Sequence, residues 1–270
     1  MTADQAIAQT PRTRHGALRA FRAMLARDLF VTGREMWVFL ATVVIQPLFI
    51  LFIFGRVLTQ LGYANGDYLA VLFPGTVGLT TVLTALQTTI RPLQIEFSVT
   101  MEIEDRLLAP LPTWAVALQK TVMGVFNGLI AAALMFPVGL LVLGHIPFRA
   151  SGVPLLVVIL LLASSVGSTL GLFLGTVVPF KYVYVLFTVA LTPLMFTGAS
   201  QYPWPSLAHM RWFQVVTAFN PITYVSEGLR AAMLTGGPHI ASWICVTVLS
   251  AALLSLAIAG ARSFRRRAIG

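Results

Sequence analysis

Few side chains in this sequence have the types and spacings that catalyse reactions or bind metals. The single cysteine, Cys245, can form neither an intrachain disulfide nor a zinc cluster of cysteines. Neither a Gly-x-x-x-x-Gly-Lys phosphate loop nor a GxSxG turn is present. The histidines show no HExxH or other paired spacing; they are His15, His145, His209 and His239. We therefore expect no metalloenzyme and no hydrolase, and a chain that itself binds no cofactor and hydrolyses no ATP.

Charged residues cluster instead in two connecting segments. The first segment, residues 91–116, carries an acidic group followed by an apolar step and two prolines. Its members are Glu96, Glu102, Glu104, Asp105, Arg106, Leu107, Leu108, Pro110 and Pro112. An acidic helical turn that runs into apolar residues and a proline stop predicts a short surface helix with an abrupt end.

The second charged segment runs from Gln201 to His239. It is broken near its start by Pro203-Trp204-Pro205 and later contains Asn220-Pro221. Glu227 and Arg230 follow at a spacing of i and i+3, which would let them form an ion pair on a helix. The alternative is a solvated loop pair that contributes little to stability.

The elements that must position these residues are long apolar helices. The chain of 270 residues is 57% hydrophobic and only 10% charged, which is far too apolar for a soluble domain of this length. Six apolar runs predict transmembrane helices at Trp37 to Phe54, Tyr68 to Ile90, Val116 to Leu143, Leu155 to Val178, Tyr182 to Ser200 and Ile240 to Ala259. The predicted fold class is an all-α membrane protein with six spans.

The basic residues predict the orientation of these helices. With the N-terminus inside, about 14 of the 18 Lys and Arg residues lie on the cytoplasmic side, as the positive-inside rule requires. The net charge of +9 is therefore explained by topology, and we expect no nucleic-acid partner. Both termini are expected in the cytoplasm.

Three regions follow from this topology. Residues 1–36 form a cytoplasmic tail and an amphipathic helix over 16–34, in which Leu18, Phe21 and Leu25 share one face. We expect this helix to lie on the membrane surface among lipids, the alternative being a helix docked on protein. Residues 37–260 form the six-helix domain, and residues 261–270 a basic cytoplasmic tail. Residues 201–239 predict an external re-entrant hairpin, because they are too charged for an easy span. If residues 206–234 crossed fully, the C-terminus would lie outside.

Polar and small residues inside the predicted spans indicate a route or a packing face. Thr76, Thr80, Thr84 and Thr88 form one stripe beside Gln87. The hydroxyls either line a translocation route or bond back to carbonyls one turn earlier, whereas the Gln87 amide must face protein, a cavity or the cytoplasmic boundary. Small residues recur every four positions at Gly124, Gly128 and Ala132, and at Ala163, Gly167, Gly171 and Gly175. Such faces allow close helix packing within one chain or between two.

The arrangement as a whole resembles the ABC-2 type permeases, the membrane subunits of ABC exporters that include drug-resistance, Nod-factor and polysaccharide export relatives. The resemblance rests on the surface helix before six spans and on two motifs. The motifs are Met101-Glu-Ile-Glu-Asp-Arg-Leu-Leu-Ala-Pro-Leu-Pro112, followed by Lys120, and Phe219-Asn-Pro-Ile-Thr-Tyr-Val-Ser-Glu-Gly-Leu-Arg230. It covers nearly the whole chain.

The resemblance implies a cytoplasmic coupling helix between spans two and three that docks on an ATPase subunit. Glu102, Glu104, Asp105 and Arg106 would meet the ATPase, and Leu107 and Leu108 would anchor the helix to the bundle. Two separate ATPase subunits, which bind ATP and Mg, and a second permease copy or a paralogue are the implied partners. The expected location is the bacterial plasma membrane.

The resemblance also implies where a substrate passes and what closes the exit. Spans two and five would face the central route, so the candidate lining residues are Thr84, Gln87, Thr88, Thr192 and Phe196. The external hairpin would hold Asn220, Glu227 and Arg230. Small hydroxyls, an amide and an aromatic ring suit an amphipathic drug or lipid. A lipid-linked glycan, an ATP-independent carrier, a scaffold subunit and a membrane enzyme stay open as alternatives.

Overall fold

The fold consists of helices joined by short turns. The computed structural model describes residues 14–34, 36–62, 66–98, 113–144, 146 and 148–269, and within these ranges it contains no strand. Inside a bilayer a helix satisfies every backbone N–H and C=O within its own segment, and these apolar runs require that arrangement. The prediction of an all-α membrane protein is confirmed.

Within the residues that the structure describes, five helices are long and apolar enough to cross a membrane. They contain 25 to 33 residues each, which corresponds to about 37–50 Å and exceeds the roughly 30 Å of a hydrocarbon core. They are α2 (Met36–Gln60), α3 (Gly66–Ser98), α4 (Thr113–Leu143), α5 (Val153–Val177) and α9 (Ser242–Ile269), and α1 (Arg14–Arg34) precedes them. Each overlaps one predicted span.

The fifth predicted span, Tyr182 to Ser200, is shorter and less regular than the others. Helix α6 (Phe180–Phe196) joins a 3-10 turn, Phe180–Tyr182, to short α segments on either side of a π segment, Phe187–Leu191. Pro193 lacks an N–H and its ring interferes with the carbonyl one turn earlier, which disturbs regular α-helix at this place. Six crossings therefore stay a prediction.

Two short helices fill the connection between α6 and α9. They are α7 (Arg211–Ala218) and α8 (Pro221–Met233), which follow a 3-10 turn at Trp204–His209. With 8 and 13 residues they reach only about 12 and 20 Å. The backbone N–H groups of Trp204 and Ile240 both donate to the Glu227 carboxylate, at 2.8 and 3.0 Å. Both ends of the segment therefore lie beside the same carboxylate, and its re-entrance into the membrane stays a prediction.

Helix α3 forms the centre of the bundle and packs against α4, α5 and α8. The small-residue face of α5 makes this packing close. A Cβ on Gly167 would lie 2.5 Å from the Val82 carbonyl oxygen, and one on Gly171 would lie 2.7 Å from that of Leu86. These contacts are too short for any larger side chain, so the α5 face serves packing within the chain.

The bundle has two distinct ends. At one end, which we call the basic end, the last turns of α3, α5 and α9 meet the first turns of α4; Lys120 contacts Glu96 there, and Arg267 contacts Gly175. At the other end, the hairpin end, Arg230 of α8 contacts Val71 of α3. Helix α9 continues to Ile269, through residues 261–269 that were expected to form a tail. Arginine and alanine favour the helix there, and Arg267 is held by α5.

Candidate functional site

A cavity of about 430 Å³ opens between α1, α2, α3 and α4. Its wall along α2 is mostly apolar and its wall along α3 is mostly polar, whereas its end near α1 is charged. The charged lining residues are Arg27, Asp28, Arg91, Glu96 and Lys120, and the apolar ones include Val38, Phe39, Val43, Ile50, Leu79 and Leu83. The cavity can therefore hold a molecule that has one polar end and one apolar end.

A buried ion cluster forms the charged end of the cavity. The Lys120 ammonium lies 2.6 Å from a Glu96 carboxylate oxygen and 3.3 Å from one of Asp28. The Gln119 amide also donates to Asp28, at 2.7 Å. Lys120 is only 4% exposed, and a charge at that depth is tolerated when it is paired and hydrogen-bonded. The cluster joins α1 to α3 and α4 at the basic end.

Uncharged polar side chains line the cavity beyond the ion cluster. Thr84, Gln87 and Thr88 all contribute to the wall. The Thr88 hydroxyl donates to the Thr84 carbonyl oxygen at 2.7 Å, so it bonds back to its own helix. Asn127, on α4, is 5% exposed, and its Oδ1 has no hydrogen-bond partner in the described part of the chain. A buried amide oxygen without a donor is rare, and the residue that carries it is among those lining the cavity.

The other two predicted lining residues lie outside this cavity. Thr192 and Phe196 are exposed on α6, and 59% of Phe196 is accessible. Helix α6 packs on α3 through Leu191, which is buried together with Leu86 and Ile90. Thr192 and Phe196 thus lie on the part of α6 that is not covered within this chain.

At the hairpin end Glu227 and Arg230 form a fully buried ion pair. The Arg230 Nη1 lies 2.7 Å from Glu227 Oε1, and the two side chains are 1% and 0% exposed. Arg230 also donates to the carbonyl oxygens of Val71, at 3.1 Å, and Ser200, at 3.0 Å. Burial lowers the pKa of the Arg230 guanidinium, and the Glu227 carboxylate acts in the opposite direction. The usual pKa of arginine is so high that the Arg230 guanidinium keeps its charge.

The predicted hairpin residues have separate positions within one network. Glu227 accepts the N–H groups of Trp204 and Ile240, so it fixes both ends of the hairpin segment. Asn220 caps α8 by accepting the Ile222 N–H at 2.9 Å, and its amide nitrogen donates to the Leu194 carbonyl oxygen at 2.7 Å. Asn220 therefore ties the break in the hairpin to α6.

The acidic surface helix predicted between α3 and α4 lies outside the described residues. This applies to all six of its candidate positions, which are Glu102, Glu104, Asp105, Arg106, Leu107 and Leu108. The cavity also brings in residues that the sequence analysis did not select, namely Asp28, Lys120 and Asn127. Lys120 and Asn127 are polar residues inside an apolar run, which is the signal that marks them.

A bundle of long apolar helices with an amphipathic cavity and a buried charged pair is the architecture of an integral membrane protein. Residues 19–234, which are 216 of the 270 residues, match the family of ABC-2 type transporters, and the chain belongs to that family. It is therefore a permease subunit of an ABC-type transporter, a class that works with ATPase subunits. No individually curated protein matches the sequence.

Proposed function

We propose that this permease exports an amphipathic compound, a drug or a lipid, when ATP is hydrolysed by two separate ATPase subunits. A second copy of the chain, or a paralogue, completes the transporter in a bacterial plasma membrane. Both termini are cytoplasmic in this proposal, so the basic end is the cytoplasmic end. The hairpin end then faces outward, and ATP binding alternates the two halves between inward and outward forms.

The observation that carries this proposal is the cavity between α1, α2, α3 and α4. Its volume of about 430 Å³ lies within the range of about 300–1,000 Å³ that is usual for small-molecule sites. The Asp28–Lys120 cluster offers a charged boundary to a head group, and Val43 and Leu83 offer an apolar wall to a chain or ring. Asn127 lines the same cavity, and we propose that its buried, unpartnered oxygen accepts a hydrogen bond from the substrate once its neighbours move to expose it.

In this proposal the hairpin closes the exit on the side of the bundle opposite the charged end of the cavity. Glu227 and Arg230 together hold four segments in place, namely α3, the loop at Ser200, the chain at Trp204 and the chain at Ile240. A substrate that leaves at this end must pass a rigid, bonded element. We propose that Thr192 and Phe196, uncovered on α6, extend the route toward the second copy.

The transport experiment uses inside-out vesicles that contain the permease and its ATPase subunit. The probes are rhodamine 6G and a short-chain fluorescent phospholipid. Thr84→Val removes a hydroxyl from the cavity, and Thr247→Val is the matched control, because Thr247 is exposed on α9 and bonds to its own helix. We expect ATP-dependent uptake of a probe to fall severalfold in Thr84→Val and to stay unchanged in Thr247→Val. Equal uptake in the two variants would refute the cavity as the substrate site.

The coupling experiment concerns the segment outside the described residues. Glu104→Lys or Asp105→Lys should lower substrate-stimulated ATPase activity of the assembled transporter while the permease still inserts normally. Unchanged stimulation would remove these acids from the contact with the ATPase.

One observation favours a second candidate, a carrier driven by an ion gradient. The charged groups of Asp28, Glu96 and Lys120 meet at the edge of the cavity, and carboxylates beside a substrate route are a feature of ion-coupled carriers. Transport that persists with vanadate and stops with a protonophore would favour this candidate. If an unlabelled polysaccharide or lipid-linked glycan reduced uptake of the fluorescent phospholipid, such a glycan would instead be favoured as the substrate.

A further inference from the structure

A second concave surface lies between the last turns of α5 and α9. We call it the basic groove and define it by Phe173 and Val177 of α5 together with Ala259, Arg262 and Arg266 of α9. It lies at the basic end of the bundle. The cavity and the ion pair described above use none of these residues.

The floor of the basic groove is fixed by polar contacts. The hydroxyls of Thr176 and Ser263 are 2.6 Å apart, which joins α5 to α9 directly. Arg267 donates to the carbonyl oxygens of Gly175 and Thr176, both at 3.0 Å, and its guanidinium lies 4.7 Å from the centre of the Phe97 ring. Since these carbonyls end α5, the positive charge of Arg267 is used to cap a helix.

Arg262 and Arg266 differ from Arg267 in having no such partner. Both are exposed, and neither forms a hydrogen bond or an ion pair within the described ranges of the chain. Their spacing of i and i+4 places the two guanidinium groups on one face of α9. The wall beside them is apolar, and 53% of Val177 is accessible.

This combination matches the shape and charge of an anionic phospholipid. Two neighbouring guanidinium groups can bind one phosphate through several N–H donors, and an acyl chain can lie along Phe173 and Val177. Basic pockets between helices at the membrane boundary are sites where anionic head groups bind. A zwitterionic lipid would bring its own cation close to the same two arginines and would therefore bind less tightly than an anionic lipid.

We propose that the basic groove is a binding site for one anionic phospholipid, held by Arg262 and Arg266 through its phosphate. The proposal does not depend on the transported substrate. The main competing explanation is diffuse attraction between a basic helix end and an anionic membrane. Arg265 separates the two explanations, because it is exposed in the same turn of α9 but does not line the groove.

The test is native mass spectrometry of the full-length, delipidated chain in detergent. The probes are dioleoylphosphatidylglycerol, dioleoylphosphatidylcholine and sodium phosphate. We expect one phosphatidylglycerol molecule to bind at least about tenfold more tightly than phosphatidylcholine. The double change Arg262→Gln and Arg266→Gln should weaken phosphatidylglycerol binding by about tenfold or more, and Arg265→Gln by less than about twofold. Circular dichroism verifies that the variants keep their helices.

Any one of the following four results would overturn the proposal. Equal losses in the Arg265→Gln protein and the double variant would mean diffuse attraction. Equal binding of the two lipids in the wild-type chain would mean that charge is not recognised. Displacement of phosphatidylglycerol by millimolar sodium phosphate would indicate a site for a free anion. Retention of lipid binding by the double variant, with loss of ATPase-subunit binding, would assign the arginines to a protein contact.

Discussion

The buried pair of Glu227 and Arg230 gives the sharpest prediction about stability. Glu227→Gln preserves size but leaves the Arg230 guanidinium, 1% exposed, without its counter-ion. Removing one partner of a buried pair costs about 3–5 kcal/mol, because the remaining charge stays out of water. In the wild type, the Glu227 carboxylate oxygens accept the N–H groups of Trp204 and Ile240. The amide of the variant would instead place its own N–H groups against one of these two donors. We expect a loss of about 3–5 kcal/mol in the free energy of unfolding.

A double-mutant cycle separates the pair from its surroundings. Arg230→Met removes the same ion pair and also the bonds to the carbonyl oxygens of Val71 and Ser200, so its cost should be at least as large. The loss in unfolding free energy of the double variant should be about 2–3 kcal/mol smaller than the sum of the losses in the two single variants. The assay is unfolding in mixed micelles of dodecyl maltoside and sodium dodecyl sulfate, followed by circular dichroism.

Two controls complete this experiment. Arg56→Met removes an exposed arginine whose one hydrogen bond, at 3.3 Å to the Val142 carbonyl oxygen, is long, and should cost less than about 1 kcal/mol. Exchanging the two residues, as Glu227→Arg with Arg230→Glu, should not restore stability, since a carboxylate cannot donate to Val71 and Ser200. Additivity of the two single changes within about 0.5 kcal/mol would refute the coupled pair.

Three further outcomes follow from close packing and from the charged end of the cavity. Gly75→Ala should destabilise the chain by about 1–3 kcal/mol, because a Cβ there would overlap the Ser200 carbonyl, whereas Gly33→Ala, in helix α1 with open space around it, should leave stability unchanged or raise it by up to about 1 kcal/mol; unfolding in mixed micelles distinguishes them. Lys120→Met removes the buried ammonium that contacts Glu96 of α3 and Asp28 of α1 and should loosen α1, so limited proteolysis should cut near Asp28 sooner than in the wild type; equal cutting rates would contradict this. Asn127→Leu should raise the KM for an amphipathic probe severalfold with little change in stability, and an unchanged KM would remove the amide from substrate binding.

The long helices could be predicted because the bilayer imposes a strong rule on the sequence. A run such as Val116 to Leu143 is long enough and apolar enough to be identified without tertiary information, and the helix found there is Thr113–Leu143. The irregular α6 was harder to predict, because a π segment changes the hydrogen-bond pattern but not the hydropathy. Hydropathy alone therefore does not settle how far α6 reaches.

The candidate site was only partly predictable. The i and i+3 spacing of Glu227 and Arg230 indicated a pair, but their complete burial depends on α3 and on the loop at Ser200, which are distant in sequence. The cavity needs α1 to pack beside α4, and the contact between Asp28 and Lys120 spans 92 residues of sequence. Periodicity describes one helix at a time, so it cannot predict which two helices enclose a space.

The measurement that tests the central claim most directly is probe uptake into inside-out vesicles that contain the permease and its ATPase subunit. The account predicts uptake that requires ATP, stops with vanadate and falls severalfold in the Thr84→Val protein but not in the Thr247→Val protein. Uptake that continues with vanadate and stops with a protonophore would contradict an ATP-driven exporter.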